Sequence, residues 1–163
     1  MRKLLLATTA LVPLGLAAAA ANPLGSNVVG GNATVQGTGT SSVIINQSSQ
    51  NAVINWNSFN IGAGEQTRFN QPNSTSTVLN RVLGDPNASQ IFGTLSANGR
   101  VFLINPNGIL IGNGAVINTA SFLATTHDIT NENFMAGRYQ FNIPGRPDAS
   151  IVNLGTITAS NSG

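Results

Sequence analysis

The sequence has no cysteine and only one lysine (Lys3), one histidine (His127), one tryptophan (Trp56) and one tyrosine (Tyr139). Each scarcity removes a class of protein. Without cysteine there is no disulfide framework, and a lone histidine leaves a zinc site short of its usual ligands. Single tryptophan and tyrosine residues are too few for the aromatic girdles of an outer-membrane barrel. Charge is scarce as well, at 7% of residues, while 41% are hydrophobic. Disordered chains show the reverse balance, so a folded domain with a real core is expected.

What basic excess exists lies at the start. Arg2 and Lys3 form a basic n-region, Leu4 to Leu16 an apolar h-region, and Ala19-Ala20-Ala21 the small residues that signal peptidase cuts after. Residues 1–21 therefore read as a signal peptide cleaved between Ala21 and Asn22, and residues 22–163 as one exported domain. The formal charge of +2 belongs to that leader. Beyond it, Arg68, Arg81, Arg100, Arg138 and Arg146 balance Glu65, Asp85, Asp128, Glu132 and Asp148. No basic patch remains, so nucleic acid is excluded as a partner.

What the chain does have is short apolar runs divided by turn-formers. Val43-Ile44-Ile45, Val53-Ile54, Val78-Leu79, Val82-Leu83, Val116-Ile117, Phe122-Leu123 and Ile151-Val152 are separated by Gly, Asn, Ser or Pro. The densest stretch is Val101 to Ile104, then Asn105-Pro106-Asn107-Gly108, then Ile109 to Ile111. Asn, Pro, Asn and Gly suit the four positions of a tight turn in that order. The spacing leaves no room for helices between runs, so the chain is all-β, with one helical turn expected over Asn131 to Ala136.

Two architectures fit. Asn98-Gly99 and Asn107-Gly108 are hairpin signals that favour an antiparallel meander or barrel. Consecutive rather than alternating apolar residues instead suit strands covered on both faces, as in a solenoid. The phrase Gly93-Thr94-Leu95-Ser96-Ala97 recurs as Gly155-Thr156-Ile157-Thr158-Ala159, displaced by 62 residues. Three coils of roughly 20 residues would give that displacement. The second copy ends the chain where the first leads into another strand, so a longer solenoid is expected to continue beyond Gly163.

No constellation reads as catalytic. His127 and Asp128 with Ser121 or Ser150 lack nucleophile-elbow spacing. Asp128 and Glu132 are close enough to meet across a helical turn, but solvated charges are the simpler reading of them. Asparagines at expected strand ends, among them Asn46, Asn55, Asn70, Asn80, Asn105 and Asn118, suit corner hydrogen bonds or stacked ladders, with sugar binding as the functional alternative. No cofactor, metal or catalytic residue is assigned.

Several phrases together resemble one family. They are Asn55-Trp56-Asn57-Ser58-Phe59-Asn60-Ile61-Gly62, Arg68-Phe69-Asn70-Gln71, Leu79-Asn80-Arg81-Val82, Gln90 through Ile109, and Ile151-Val152-Asn153-Leu154-Gly155-Thr156-Ile157. In this order, after a signal peptide and Asn22-Pro23, they are similar to the N-terminal two-partner secretion (TPS) domain. That domain, also called the haemagglutination-activity domain, stands at the front of filamentous-haemagglutinin-like adhesins, haemolysins and contact-dependent inhibition proteins. The resemblance implies a right-handed parallel β-helix with an N-terminal cap and extra-helical strands. It also implies a non-catalytic address, exported by the Sec machinery and recognised by the POTRA domains of an outer-membrane partner transporter. The destination would be the cell surface or the medium, reached through the periplasm. The domain would then serve as folding nucleus for the passenger behind it. Asn105, Pro106, Asn107, Gly108 and Ile109 carry the family's main motif, as a turn, a recognition element or both. Leu79, Asn80, Arg81 and Val82 carry a second, with Arg81 a buried or partly buried anchor. An Asn-Pro-Asn-Leu motif found upstream in some members is absent; Asp85-Pro86-Asn87-Ala88 lies in comparable territory. The alternative is that the folded domain itself binds host surface glycans or proteins. A β-helical polysaccharide lyase or hydrolase is disfavoured by the scattered carboxylates.

Overall fold

A computed structural model describes residues 22–160. The expected signal peptide, residues 1–21, and so the Ala21 side of the expected cleavage point, lie outside the described residues. The chain winds as a parallel β-helix of about four turns. The first coil runs through β3 (Ser42–Gln47) and β4 (Asn51–Trp56), and the second through β5 (Gln66–Asn70), β6 (Thr77–Val82) and β7 (Ser89–Ile91). The third holds β8 (Thr94–Ala97), β9 (Arg100–Ile104) and β10 (Ile109–Ile111). The fourth holds β11 (Val116–Thr119), β12 (Ser121–Thr125) and β13 (Ile151–Asn153), and β14 (Thr156–Ala159) begins the next.

Corresponding strands stack in parallel to give three sheets. The front edges are closed differently: β1 (Asn27–Gly30) adds antiparallel to β4, and β2 (Ala33–Gln36) antiparallel to β3. These two strands are the expected cap, and they cover edges that would otherwise template association. Asn22 plugs the same end. Its side chain is fully buried, donates to the Thr40 carbonyl at 2.8 Å and accepts from Thr67 Oγ1 at 3.0 Å.

Alternation along each strand sends every second residue inward. Val43, Thr67, Leu95 and Ile117 are stacked register partners in the interior, as are Ala52, Val78 and Val101 on the adjoining sheet. The consecutive apolar runs have a separate cause. Val53, Leu79, Phe102 and Ile104 point outward, and are covered by an excursion over residues 126–150. The excursion carries the short helix α1 (Asn131–Met135), capped by Thr130, whose hydroxyl accepts from Asn133 N at 3.2 Å. Phe134 and Ile129 complete the outer cluster, and Phe102 meets Phe134 and Tyr139 edge-on at 6.0 and 5.1 Å.

Two sequence expectations are corrected. The recurrence of 62 residues is two coils, not three: Thr94 stacks on Val116 and Val116 on Thr156. The second of those coils contains the excursion, which lengthens it. Nor are Asn98-Gly99 and Asn107-Gly108 hairpins. Each joins strands of different sheets, β8 to β9 and β9 to β10, and so turns a corner of the coil.

Candidate functional site

The Asn105–Ile109 segment is the corner between β9 and β10. Gly108 N donates to the Asn105 carbonyl at 3.1 Å, and Asn107 N donates to Asn105 Oδ1 at 2.9 Å, so the turn closes on its first residue. Asn105 is 0% exposed. Its Nδ2 donates downward to the Asn87 carbonyl at 3.1 Å and to Ser89 Oγ at 3.0 Å, and Asn107 Nδ2 reaches the Asp85 carbonyl at 2.8 Å. Two of the four corner residues of the previous coil, Asp85 and Asn87, are therefore held by this one, and they brace each other, since Asn87 N donates to Asp85 Oδ1 at 2.9 Å.

The corner is covered from the other side as well. Arg146 N donates to the Pro106 carbonyl at 3.0 Å, and Ile109 N donates to the Ser150 carbonyl at 3.0 Å. Gly108 has φ +113°, and a Cβ there would stand 2.8 Å from the Ser150 carbonyl oxygen. Glycine is required by both conformation and space. Ile109 points into the core. The motif is thus the middle layer of three stacked corners.

The second motif alternates between the two faces of β6. Leu79 and Arg81 point out beneath the excursion, while Asn80 and Val82 point in. Asn80, fully buried, accepts from Trp56 Nε1 at 3.0 Å and donates to the Phe102 carbonyl at 3.3 Å. It lies in mid-strand, not at the strand end expected from the sequence. Arg81 is 7% exposed and makes four contacts: Nε to Asp128 at 2.8 Å, Nη1 to Asn131 at 2.8 Å and Asn55 at 3.1 Å, and Nη2 to the Ile129 carbonyl at 2.6 Å. Its fork fastens the excursion to the sheet, matching the expected anchor.

The carboxylates do not converge. Asp128 is taken by Arg81, Glu132 lies 3.6 Å from Arg138 and Asp148 lies 3.3 Å from Arg146. The Arg146 hydrogen bond, then a backbone bond and the nearby charge, hold the exposed Asp148 carboxyl below its ordinary pKa. His127 is exposed, and its ring nitrogen faces Thr126 Oγ1 at 3.4 Å rather than Ser121 or Ser150. No group of metal-ligating side chains forms among the described residues. Amide ladders do form: Asn70 Nδ2 donates to Asn46 Oδ1 at 2.9 Å and Gln71 Nε2 to Gln47 Oε1 at 3.1 Å.

The stacking of the two corners was missed in the sequence, although a signal existed. Asp85-Pro86-Asn87 and Asn105-Pro106-Asn107 share the pattern Asx-Pro-Asn one coil apart.

A capped parallel β-helix whose distinctive residues lock corners and fasten an outer segment defines a class of β-solenoid scaffold domain. The chain belongs to the TPS secretion domain family, whose model matches residues 19–163. It is similar to two heme/hemopexin-binding proteins of Haemophilus influenzae. One is 44% identical over 73% of this chain, and the other, from strain Rd, is 48% identical over 66%. The matched stretch spans 13% and 12% of those proteins' own lengths. The crystal structure of the HMW1 secretion domain from Haemophilus influenzae matches with a TM-score of 0.75 and 47% identity, over 83% of this chain and 36% of that one. Domains of this family engage a partner transporter in the outer membrane, and their exoproteins pass through the periplasm to the cell surface or medium.

Proposed function

We propose that residues 22–163 are the transport address of an exported exoprotein, read by the periplasmic POTRA domains of its partner transporter before the domain folds. The leader at residues 1–21 brings the chain to the Sec machinery, and cleavage after Ala21 frees Asn22 to plug the front of the helix. After passage, the domain acts as the nucleus on which the passenger's coils stack, each contacting only its neighbours. The passenger's class, whether adhesin, haemolysin or contact-dependent inhibition protein, belongs to the same proposal.

One observation carries the reading. Asn105 is fully buried, and its corner is covered on both sides once the coils have formed. A transporter reading those side chains must meet them in the extended chain. The test is export of the passenger from cells carrying the partner transporter. Deleting residues 22–163, or replacing both Asn105 and Asn107 with alanine, is expected to abolish it; normal export after both changes refutes the proposal.

A second reading has its own support. The outer face of the sheet holding β5, β8 and β11 carries an open polar groove of about 510 Å³, lined by Arg68, Asn70, Ser96, Asn98 and Asn118. Such a surface suits neutral or acidic host glycans. Binding of the folded chain to a glycan array, lost on Arg68→Ala, would establish it; no binding would place adhesion elsewhere.

A further inference from the structure

The sequence contains Asn-Gly at three places, 98–99, 107–108 and 113–114. Such a pair is chemically labile, because glycine offers no side chain to hinder attack by its own backbone nitrogen on the preceding amide carbon. The fold treats the three pairs differently.

Asn98 is held at both ends of its amide: Oδ1 accepts from Gln71 N at 2.7 Å, and Nδ2 donates to the Gln71 carbonyl at 2.7 Å. The side chain substitutes for a strand neighbour and cannot swing toward Gly99. At the second pair, the attacking group and the leaving group are both occupied. Gly108 N donates to the Asn105 carbonyl, and Asn107 Nδ2 donates to the Asp85 carbonyl at 2.8 Å. Asn113 and Gly114 stand exposed at the tip of the turn between β10 and β11. That turn closes through Ala115 N and the Gly112 carbonyl at 3.1 Å, which leaves Gly114 N free. Among the described residues, neither the Asn113 amide nor Gly114 N has a hydrogen-bond partner. Nothing lies within 4 Å of where a Gly114 side chain would be.

We propose that Asn113 is a spontaneous deamidation site of the folded domain, and that the fold shields Asn98 and Asn107. Gly114 N bonds to Asn113 Cγ, and the Cγ–Nδ2 bond breaks. Nδ2 leaves as ammonia with the proton that Gly114 N gives up. Water then opens the resulting five-membered imide at either carbonyl, leaving aspartate at position 113 or its β-linked isomer. No oxidant or cofactor enters the balance.

The product matters because of what sits on that turn. A Cβ at Gly155 would lie 2.8 Å from the Ala115 carbonyl oxygen and 2.9 Å from that of Gly112, so the next corner is seated against this one. Thr156 N and Leu154 N donate to the Ala115 and Ile111 carbonyls at 2.9 and 2.7 Å. The β-linked isomer adds a methylene to the backbone inside the turn and a charge at its tip. It therefore disturbs the seat of β14 before any other strand.

The experiment follows the purified folded chain through incubation at mildly alkaline pH. Peptide mass mapping and enzymatic isoaspartate labelling read all three sites, with a parallel sample unfolded in urea. Conversion at position 113 is expected to run at least about tenfold faster than at 98 or 107, the suppression that two ordinary hydrogen bonds give. In urea the three rates should converge to within a few-fold. The folded variant Asn113→Gln should lose the early signal while the slow sites keep their rates. Equal rates in the folded chain, conversion at 107 ahead of 113, or a preference for 113 that persists in urea would each overturn the proposal.

Discussion

Replacing Asn105 with alanine tests whether its corner is a lock or only a bend. The side chain makes three hydrogen bonds, to the Asn87 carbonyl, to Ser89 Oγ and from Asn107 N. Each contributes about 1 kcal/mol net, and the stranded Asn87 and Ser89 partners keep the loss near the sum, so about 3 kcal/mol is expected. With a urea dependence of about 2 kcal/mol per molar for a domain of this size, the unfolding midpoint should fall by about 1.5 M. Asn107→Ala removes one half-buried bond, to the Asp85 carbonyl, and should cost about 1 kcal/mol. Asn105→Asp keeps the acceptor for Asn107 N but turns a buried carboxylate oxygen toward the Asn87 carbonyl. At neutral pH it should be worse than alanine. Urea unfolding followed by Trp56 fluorescence measures all three. A midpoint shift below about 0.3 M for Asn105→Ala, or a wild-type midpoint for Asn105→Asp, would refute the lock.

Three other expectations follow from the packing. Arg81→Lys keeps the charge but loses the fork that joins Asp128, Asn131, Asn55 and the Ile129 carbonyl. It should cost about 2–4 kcal/mol and expose residues 126–150 to limited proteolysis while the coils stay intact. Trp56→Phe removes the donor to the fully buried Asn80 Oδ1, so stability should fall by about 1–3 kcal/mol, and by less when Asn80→Leu is made with it. Asp148 should titrate below an ordinary carboxylate by NMR, and Arg146→Gln should return it toward normal. A depressed folded pKa stabilises above the unfolded value and is lost as pH falls through the folded one. Because this carboxylate is fully exposed, the variant should leave thermal stability at neutral pH unchanged.

The sequence carried the solenoid in its consecutive apolar runs. Val78-Leu79 and Val101 to Ile104 face water on neither side, because one face packs inside the coil and the other lies under the excursion. The short helix at Asn131 was also legible, as the one turn expected over Asn131 to Ala136, while its Thr130 cap emerged only in the fold. The excursion itself was not. Its apolar residues, Ile129, Phe134 and Phe141, are isolated and show no period, since they fill gaps on a sheet instead of forming an element. That hidden insertion is why a displacement of two coils read as three. The role of Arg81 as an anchor was legible, but its partners at Asp128 and Asn131 lie far along the chain and only the fold brings them together.

Burial of the main motif sets a thermodynamic limit on the proposed recognition of it by a transporter. A partner present at 100 times its dissociation constant for the unfolded chain shifts folding by only about 2.7 kcal/mol, against a domain stability on the order of 5–15 kcal/mol. On the proposed reading, recognition therefore has to precede folding, and variants act through two separable routes. Gly108→Ala isolates one of them. At φ +113° with the Ser150 carbonyl oxygen 2.8 Å away, an added Cβ strains the folded corner by about 1–3 kcal/mol, yet Asn105 and Asn107 remain available in the extended chain. Gly108→Ala should therefore weaken the fold more than Asn107→Ala while exporting better than it. Export measured for Asn105→Ala, Asn107→Ala and Gly108→Ala against their urea midpoints distinguishes the routes. If export simply tracks stability across the three, the motif supplies folding alone, and the transporter reads other residues.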